Sequence, residues 1–308
     1  MIGWISYITP IWEATTLTGD GKQDRDWPVF TAGRSMLQPD RRDQLIGWYR
    51  QALRFLMPIE CISCNRTLST DPIPFFCRAC WDQIGPITGS RCSRCDQPFV
   101  SPAATSWTPD HQCQNCFERP PAYERAWTLF PYLPPLQDAI CAFKYRGKFA
   151  LAKPLAALMI RAIPSQIDGD VLVPVPLHPT RLRAREFNQS LLLADQLGRH
   201  LKRPVSATVL VRVLATDPQT TLSRQERLRN LRQAFAVRNA EALAGRRVLL
   251  IDDVFTTGTT LNECTKTLLK AGALSVSALT LARTINTNLV PDRFLAANAA
   301  RSLMGLGI

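Results

Sequence analysis

The sequence lacks the features that mark membrane-spanning and secreted proteins. No apolar run in its 308 residues approaches the ~20 residues that a helix needs to cross a bilayer. The first stretch, residues 1–13, contains tryptophans and isoleucines but has neither a basic start nor a cleavage site, so it does not resemble a signal peptide. We therefore expect a cytoplasmic protein without a membrane span.

Two common nucleotide-binding motifs are also missing. The chain contains no G-x-x-x-x-G-K-[ST], which cradles nucleoside triphosphates, and no G-x-G-x-x-G, which binds dinucleotides. These absences exclude P-loop nucleotidases and Rossmann dehydrogenases of the usual kind. Any phosphate must therefore be bound by a different loop.

Negative charge is in short supply, with 25 Asp and Glu against 37 Lys and Arg and a formal net charge of +12. Between His178 and Arg238, twelve basic residues face four acidic ones, which gives 12 − 4 = +8. Such a stretch suits a polyanion, either pyrophosphate, a nucleotide or nucleic acid. For the outer arginines, a solvated basic face is an equally good explanation.

Cysteine, by contrast, is abundant, and eight of the ten cysteines form four C-x-x-C pairs. The pairs are Cys61/Cys64, Cys77/Cys80, Cys92/Cys95 and Cys113/Cys116. One C-x-x-C turn places two sulfurs on one edge of a tetrahedron, and two turns complete a closed structural zinc site. The pattern predicts a double zinc ribbon that binds two zinc ions.

The pairing and the metal leave alternatives open. Pairing in sequence order is the simplest arrangement, but interleaved pairing, an iron–sulfur cluster or a redox dithiol would fit the same spacing. Few apolar residues lie between the pairs, so we expect the module to need metal in order to fold. His111 is expected to be a bystander, and Cys141 and Cys264 to be small hydrophobic residues on helices.

The most informative stretch is residues 247–260, RVLLIDDVFTTGTT. An all-apolar run, 248–251, predicts a strand buried on both faces of a parallel sheet, and the acidic pair Asp252 and Asp253 follows it. A loop of hydroxyls around one glycine comes next, ahead of a predicted helix from Leu261. Backbone N–H groups of such a loop, with the positive end of the helix, can surround a phosphate, while the carboxylates accept hydrogen bonds from ribose hydroxyls.

The rest of the chain predicts alternating strands and helices, and hence an α/β fold with a mostly parallel sheet flanked by helices. Predicted strands cover 125–132, 171–175, 209–214 and 276–282, and predicted helices cover 40–56, 134–143, 149–162, 190–201 and 261–272. A polar arm, 216–232, follows the third of these strands and contains a short basic helix capped by Ser223. We divide the chain into an extension, partly disordered (1–57), the double zinc ribbon (58–120), the α/β domain (121–284) and a tail (285–308).

Several motifs, taken in order, resemble one family. Residues 247–260 resemble the motif that binds phosphoribosyl pyrophosphate (PRPP) in type I phosphoribosyltransferases. The four C-x-x-C pairs, FKYRGK, VPVPLHP, R-x-x-FNQ, Q-x-x-L-x-x-x-x-R and LIDDVFTTGTT together resemble the ComF family. The resemblance implies a type I phosphoribosyltransferase fold behind a double zinc ribbon, binding of PRPP with Mg²⁺, and a role in natural competence, where single-stranded DNA and the competence or recombination machinery would be partners.

The resemblance also implies roles for particular residues. The acidic pair would hold the ribose hydroxyls, and Arg224 and Arg227 on the polar arm would close over the pyrophosphate. The 5′-phosphate would be bound by the hydroxyl loop, which consists of Thr256, Thr257, Gly258, Thr259 and Thr260. The pyrophosphate side would be lined by Pro176, Leu177 and His178. The reaction would displace pyrophosphate from the ribose by a nitrogen nucleophile.

Two positions depart from the family pattern. Glu186 stands where the family usually has glycine, so the turn there is open to change. Thr256 stands where 6-oxopurine salvage enzymes have an aspartate, which makes hypoxanthine or guanine a less suitable acceptor. Two hypotheses follow: a phosphoribosyltransferase of unknown acceptor, with Asp252, Asp253 and Arg224 as its catalytic residues, or a DNA-binding competence factor whose PRPP site is a sensor or a relic. In the second, the aromatics Phe143, Tyr145 and Phe187 would contact single-stranded DNA, although each also suits core packing.

Overall fold

The computed structural model describes residues 59–69, 71–99, 110–214 and 234–285. Three predicted segments lie outside these ranges: the helix over 40–56, the polar arm over 216–232 with Ser223, Arg224 and Arg227, and the tail after residue 285.

Within the described residues, the centre of the fold is a four-stranded parallel sheet with the order β1-β6-β5-β2. Its strands are β1 (Ala126–Pro131), β2 (Val171–Pro174), β5 (Arg247–Phe255) and β6 (Ser275–Arg283). The apolar run of β5 is buried because β5 is a central strand covered on both faces. The predicted parallel sheet is confirmed.

The helices of the described part are α1 (Arg78–Trp81), α2 (Gln114–Glu118), α3 (Leu136–Tyr145), α4 (Ala152–Ala162), α5 (Pro179–Arg185), α6 (Gln189–Leu201) and α7 (Thr259–Lys270). A 3₁₀ turn, Phe149–Leu151, leads into α4. No helix among the described residues has the length and apolarity to cross a membrane.

One predicted strand belongs elsewhere. The strand expected over 209–214 is the shorter β3 (Leu210–Arg212), which stands outside the parallel sheet and pairs antiparallel with β4 (Phe235–Val237). The sequence analysis missed β4 because three residues are too few to show alternation. It missed α5 because none of its side chains is buried, so α5 has no apolar period.

Each face of the sheet carries its own core, and each core includes one part of the zinc ribbon. On one side, Phe76 and Trp81 share a cluster with Trp127 and with apolar residues of α3, α4 and α6. On the other, Cys92, Cys95 and Cys116 share a cluster with residues of α7, β3 and β4. The ribbons therefore share their hydrophobic cores with the α/β domain and do not form a separate module.

Candidate functional site

The eight paired cysteines form two separate groups. Cys61, Cys64, Cys77 and Cys80 form the first tetrad, and Cys92, Cys95, Cys113 and Cys116 form the second tetrad. Within each tetrad, all sulfurs lie within 4.8 Å of one another. The structure thus forms the pairing in sequence order, not the interleaved one.

The spacing of the sulfurs fits zinc. Sulfurs are 3.7 Å apart between Cys64 and Cys77 and 3.6 Å apart between Cys95 and Cys113. Zn–S bonds of about 2.3 Å give a tetrahedron with edges of about 3.8 Å, close to both distances. When bound, zinc would link the distant parts of each ribbon through four thiolates, as a closed structural site with no open ligand position.

The two ribbons repeat the same local design. After the first C-x-x-C of each tetrad comes a residue in the left-handed conformation, Asn65 (φ 60°) and Asp96 (φ 63°), whose N–H donates to the carbonyl of Cys61 and Cys92 respectively. The second C-x-x-C of each tetrad begins a short helix, α1 or α2. An antiparallel bridge flanks each knuckle. Asn and Asp tolerate this backbone conformation better than most residues.

The acidic pair lies inside β5, not after it. The ladder with β6 continues past Ile251, since Asp252 is opposite Thr280 and Phe255 is opposite Arg283. Backbone pairing tolerates the charged side chains, so the apolar run underestimates the length of the strand. Both carboxylates still lie near the carboxyl end of the sheet, where ligands of α/β proteins bind.

Each carboxylate of the pair has its own partner. The hydroxyl of Ser190, in the first turn of α6, donates to Asp252 over 2.9 Å, and so does the backbone N–H of Asp253. The ammonium of Lys144, near the end of α3, lies 2.9 Å from a carboxylate oxygen of Asp253, and both side chains are largely buried. The sequence analysis gave neither Ser190 nor Lys144 a role in the site, although FKYRGK contains the lysine and Ser190 begins the predicted helix over 190–201.

Burial raises the pKa of Asp252 to about 7, and the neighbouring charge of Asp253 adds to the effect, while Lys144 opposes it. Two adjacent carboxylates with limited access to solvent repel each other, so ionisation of both is disfavoured. A ligand that donates hydrogen bonds to this carboxylate would relieve the repulsion, as vicinal ribose hydroxyls can.

The hydroxyl loop turns the chain from β5 into α7. Gly258 has φ +75°, which favours glycine, and it immediately precedes the helix. The side-chain oxygens of Thr257 and Thr259 are 2.8 Å apart, and Thr256 and Thr257 are exposed. Exposed hydroxyls and the backbone N–H groups at the start of a 12-residue helix form a suitable phosphate cradle.

The segment that contains Pro176, Leu177 and His178 leaves the sheet beside the acidic pair. The N–H of Val175 donates to the carbonyl of Ile251, so this segment starts one residue from Asp252 across the sheet. Pro176 is buried, and the ring of His178 accepts from the N–H of Thr180 and thereby caps α5. The imidazole is thus a helix cap in this structure.

Glu186 ends α5 in a left-handed conformation, with φ 66°. This is the conformation that favours glycine, so the backbone there is one that a glycine would adopt more easily. The next residues hold the corner together: the amide of Asn188 donates to the carbonyl of Val175, and its oxygen accepts from the N–H of Ser190. The FNQ segment therefore positions Ser190 against the acidic pair.

A basic cleft of about 480 Å³ opens next to the acidic pair. It is lined by Lys144, Tyr145, Gly147, Arg181, Ala184, Arg185 and Glu186. The guanidinium of Arg185 lies 4.7 Å from the centre of the Tyr145 ring, a cation–π contact. With three basic side chains and one carboxylate, the cleft suits an anionic group.

The three aromatic residues proposed to contact DNA differ in how far they are buried. Phe143 is fully buried and Phe187 packs against it, with ring centres 5.4 Å apart, so both belong to the core. Tyr145 is 68% exposed, and the nearby Phe149, which the sequence analysis did not select, is 67% exposed. Cys264 is buried, as expected, whereas Cys141 is partly buried.

Comparisons with known proteins agree with this architecture. A model of the double zinc ribbon domain matches residues 52–117, and a model of the phosphoribosyl transferase domain matches residues 188–296. Competence protein F of Haemophilus influenzae is 35% identical over 178 residues, which cover 56% of this chain and 78% of that protein. The DNA utilization protein YhgH of Escherichia coli is 34% identical over 204 residues, which cover 64% of this chain and 88% of that protein.

Competence protein ComFC of Bacillus subtilis is 29% identical over 243 residues, 72% of this chain and 94% of the relative. The cysteine tetrads, the parallel sheet with the acidic pair at its edge, and this likeness over most of each relative's length agree with one another. On these grounds the chain belongs to the ComF family, with a double zinc ribbon joined to a phosphoribosyltransferase domain.

Proposed function

We propose that the protein binds PRPP with Mg²⁺ at the carboxyl edge of the sheet and transfers its phosphoribosyl group to a nitrogen acceptor. The observation that carries the proposal is the acidic pair directly ahead of the hydroxyl loop, with Asp252 held by Ser190 and Asp253 held by Lys144. A ribose hydroxyl pair and a 5′-phosphate need these two features at adjacent positions.

Different groups of residues would bind the different parts of PRPP. The acidic pair would accept hydrogen bonds from the ribose hydroxyls, and the hydroxyl loop with the N-terminus of α7 would hold the 5′-phosphate. The segment with Pro176, Leu177 and His178 would face the pyrophosphate, and Arg224 on the polar arm would cover it and exclude water. Mg²⁺ would bridge ligand oxygens, with few protein ligands of its own.

The chemistry depends on stabilising the leaving group. Displacement at the anomeric carbon leaves the ribose electron-poor in the transition state and gathers negative charge on the pyrophosphate. Basic side chains fixed beside the leaving oxygens therefore contribute more than groups that contact the ribose alone. Arg181 and Arg185 line the basic cleft next to Lys144 and have suitable charge.

The first test is a ligand-dependent melting shift. PRPP with Mg²⁺ should raise the melting temperature, because a ligand that binds only the folded state stabilises that state, and the effect grows with the logarithm of one plus the ratio of free ligand to Kd. The double variant Asp252→Asn, Asp253→Asn should lose the shift.

The matched control is a second acidic pair at the opposite edge of the sheet. Asp168 and Asp170 pair with Arg247 at the start of β5. The double variant Asp168→Asn, Asp170→Asn removes the same charge but should keep the PRPP shift. A shift that survives in the Asp252, Asp253 variant would refute the assignment of the site.

A second candidate function is binding of single-stranded DNA, with the PRPP site acting as a sensor or a relic. The observation that favours it is the exposure of Tyr145 and Phe149 beside basic side chains. Arg185 contacts the Tyr145 ring, and Lys153 lines the same cavity as Phe149. Exposed rings beside basic side chains can stack on bases while the charges contact phosphates. The names of the H. influenzae and E. coli relatives refer to competence and DNA utilization.

The DNA hypothesis predicts that Tyr145→Ala and Phe149→Ala each weaken single-strand affinity by about tenfold, since stacking contributes roughly 1–3 kcal/mol per base. Affinity should also fall steeply as salt rises. Phe117→Ala is the control, because Phe117 is 80% exposed but lies in the zinc ribbon. Equal loss in all three variants, or no binding at low salt, would eliminate this function. Pyrophosphate release in a screen of nitrogen acceptors then separates a transferase from a sensor.

A further inference from the structure

A buried arginine connects the second tetrad to the hydroxyl loop. Arg283, the last residue of β6, is only 5% exposed. It donates to the backbone carbonyl of Cys95 and, over 3.1 Å, to the side-chain oxygen of Gln97. Within the part of the chain that the structure describes, it forms no ion pair with a carboxylate. A buried cation needs an opposite charge near it, because desolvation otherwise disfavours the folded state.

The second tetrad supplies that opposite charge when it holds zinc. Four thiolates and one Zn²⁺ carry a net charge of two negative units. The guanidinium of Arg283 lies 4.0 Å from the sulfur of Cys95, near enough for this charge to act on it directly. Without the metal, the guanidinium keeps only its hydrogen bonds to Cys95 and Gln97 and its contact with the Phe255 ring.

On its other side, Arg283 contacts Phe255, the aromatic residue against which the hydroxyl loop packs. Its guanidinium lies 4.4 Å from the centre of the Phe255 ring, and Phe255 is 3% exposed. The same ring lies under Gly258: a Cβ built on Gly258 would come within 2.6 Å of it. The arginine therefore holds the ring, and the ring sets how closely the loop can turn.

We propose that Arg283 is a positioning residue for PRPP, and that occupancy of the second tetrad by zinc sets the affinity of the hydroxyl loop for the 5′-phosphate. The first tetrad packs in the core cluster on the other face of the sheet, and that cluster does not include Phe255. The inference rests on the proposed PRPP site. Because coupling between two binding events is reciprocal, PRPP must also retain zinc in the second tetrad.

The test uses the full-length, zinc-loaded chain. Arg283→Met keeps most of the side-chain length and removes the charge, and it should weaken PRPP affinity by about tenfold, measured by calorimetric titration with excess Mg²⁺. Arg94→Met is the matched control, because Arg94 lies in the same zinc knuckle but contacts the backbone carbonyls of Pro121 and Glu124. Its PRPP affinity should stay within twofold of that of the wild type.

A second readout distinguishes positioning from general damage to the fold. A zinc-binding dye strips the metal while a thiol reagent labels the released cysteines, and mass spectrometry assigns each label to a tetrad. PRPP with Mg²⁺ should slow labelling of the second tetrad in the wild type, leave the first tetrad unchanged, and lose this effect in Arg283→Met at unchanged zinc content.

Each outcome decides between the two ideas. If the wild type binds PRPP but Arg283→Met binds equally well, or if both tetrads are protected alike, the inference is wrong and the proposed function stands. If the wild type does not bind PRPP, the proposed function fails first and the inference with it.

Discussion

At the scale of single residues, the acidic pair places two carboxylates side by side where burial disfavours their charge. Asp252 is held between Ser190 and the backbone of Asp253, close to a second carboxylate. With its pKa raised to about 7, this carboxyl group ionises at a higher pH than an ordinary aspartate does. Burial and repulsion together oppose ionisation, so the free energy of folding depends on pH partly through this group.

The first prediction concerns that group. A carboxyl group with a pKa raised on folding gives stability that is complete below its unfolded pKa of about 4 and is lost as the pH rises towards 7. Asp252→Asn cannot ionise and should not show this loss. Between pH 5.5 and 8, the variant should gain about 1–2 kcal/mol relative to the wild type, or roughly 2–8 °C in melting temperature.

Asp170→Asn is the control for this measurement. Hydrogen bonds from Arg247 lower the pKa of Asp170 to about 2, so Asp170 stays ionised in both states over the same range. Its melting difference from the wild type should therefore be constant from pH 5.5 to 8. A constant difference for Asp252→Asn as well would contradict the raised pKa.

At the scale of elements, the β5–loop–α7 unit is built around the approach of Gly258 to Phe255. Two requirements coincide at the glycine: a left-handed φ of +75° and no space for a Cβ above the ring. The sequence motif placed Gly258 in the hydroxyl loop. The structure shows why a larger residue at this position would disturb the turn. The polar loop is thus fixed from below by an apolar contact.

The second prediction compares two glycines with similar backbone conformations. Gly258→Ala should destabilise the fold by about 2–4 kcal/mol and abolish PRPP binding, since strain and overpacking add. Gly245 has a similar φ of +67°, but a Cβ added there would have no neighbour within 4 Å. Gly245→Ala should therefore destabilise the fold by only about 1 kcal/mol and leave PRPP binding intact. Denaturant unfolding and PRPP titration measure both. Equal costs for the two variants would show that the contact with Phe255 does not matter.

At the scale of the whole molecule, the zinc ribbons are part of the core. Phe76 and Trp81, which flank cysteines of the first tetrad, lie in one cluster with residues of β1, α3 and α4. Asp96, in the second knuckle, is 1% exposed and accepts from the backbone N–H of Thr128 on β1 over 2.7 Å. Removal of metal should therefore destabilise the sheet as well as the ribbon.

The third prediction follows from that continuity. Cys77→Ser with Cys80→Ser should lower the melting temperature of one cooperative transition by more than about 10 °C, because structural zinc contributes strongly to folding. Scanning calorimetry with zinc analysis measures it, and Cys141→Ser, outside both tetrads, should change little. A separate low-temperature transition, with the main one unmoved, would mean that the ribbon unfolds independently.

The sequence by itself determined which residues make up the candidate sites. Four C-x-x-C pairs predict two metal sites because thiol spacing is local, and the 247–260 stretch predicts a phosphate loop because strand, acids, hydroxyls and helix start lie next to one another. The strands of the parallel sheet could be read from apolar runs, since burial on both faces leaves a continuous pattern.

The tertiary structure decided the features that depend on contacts between residues far apart in the sequence. It assigned the cysteines to tetrads, placed Lys144 and Ser190 on the acidic pair, and brought Arg283 between the second tetrad and Phe255. It also took β3 out of the parallel sheet and placed Phe143 in the core. The physical reason is the same throughout: partners separated by tens to hundreds of residues meet only through packing, and no local pattern records which of them will meet.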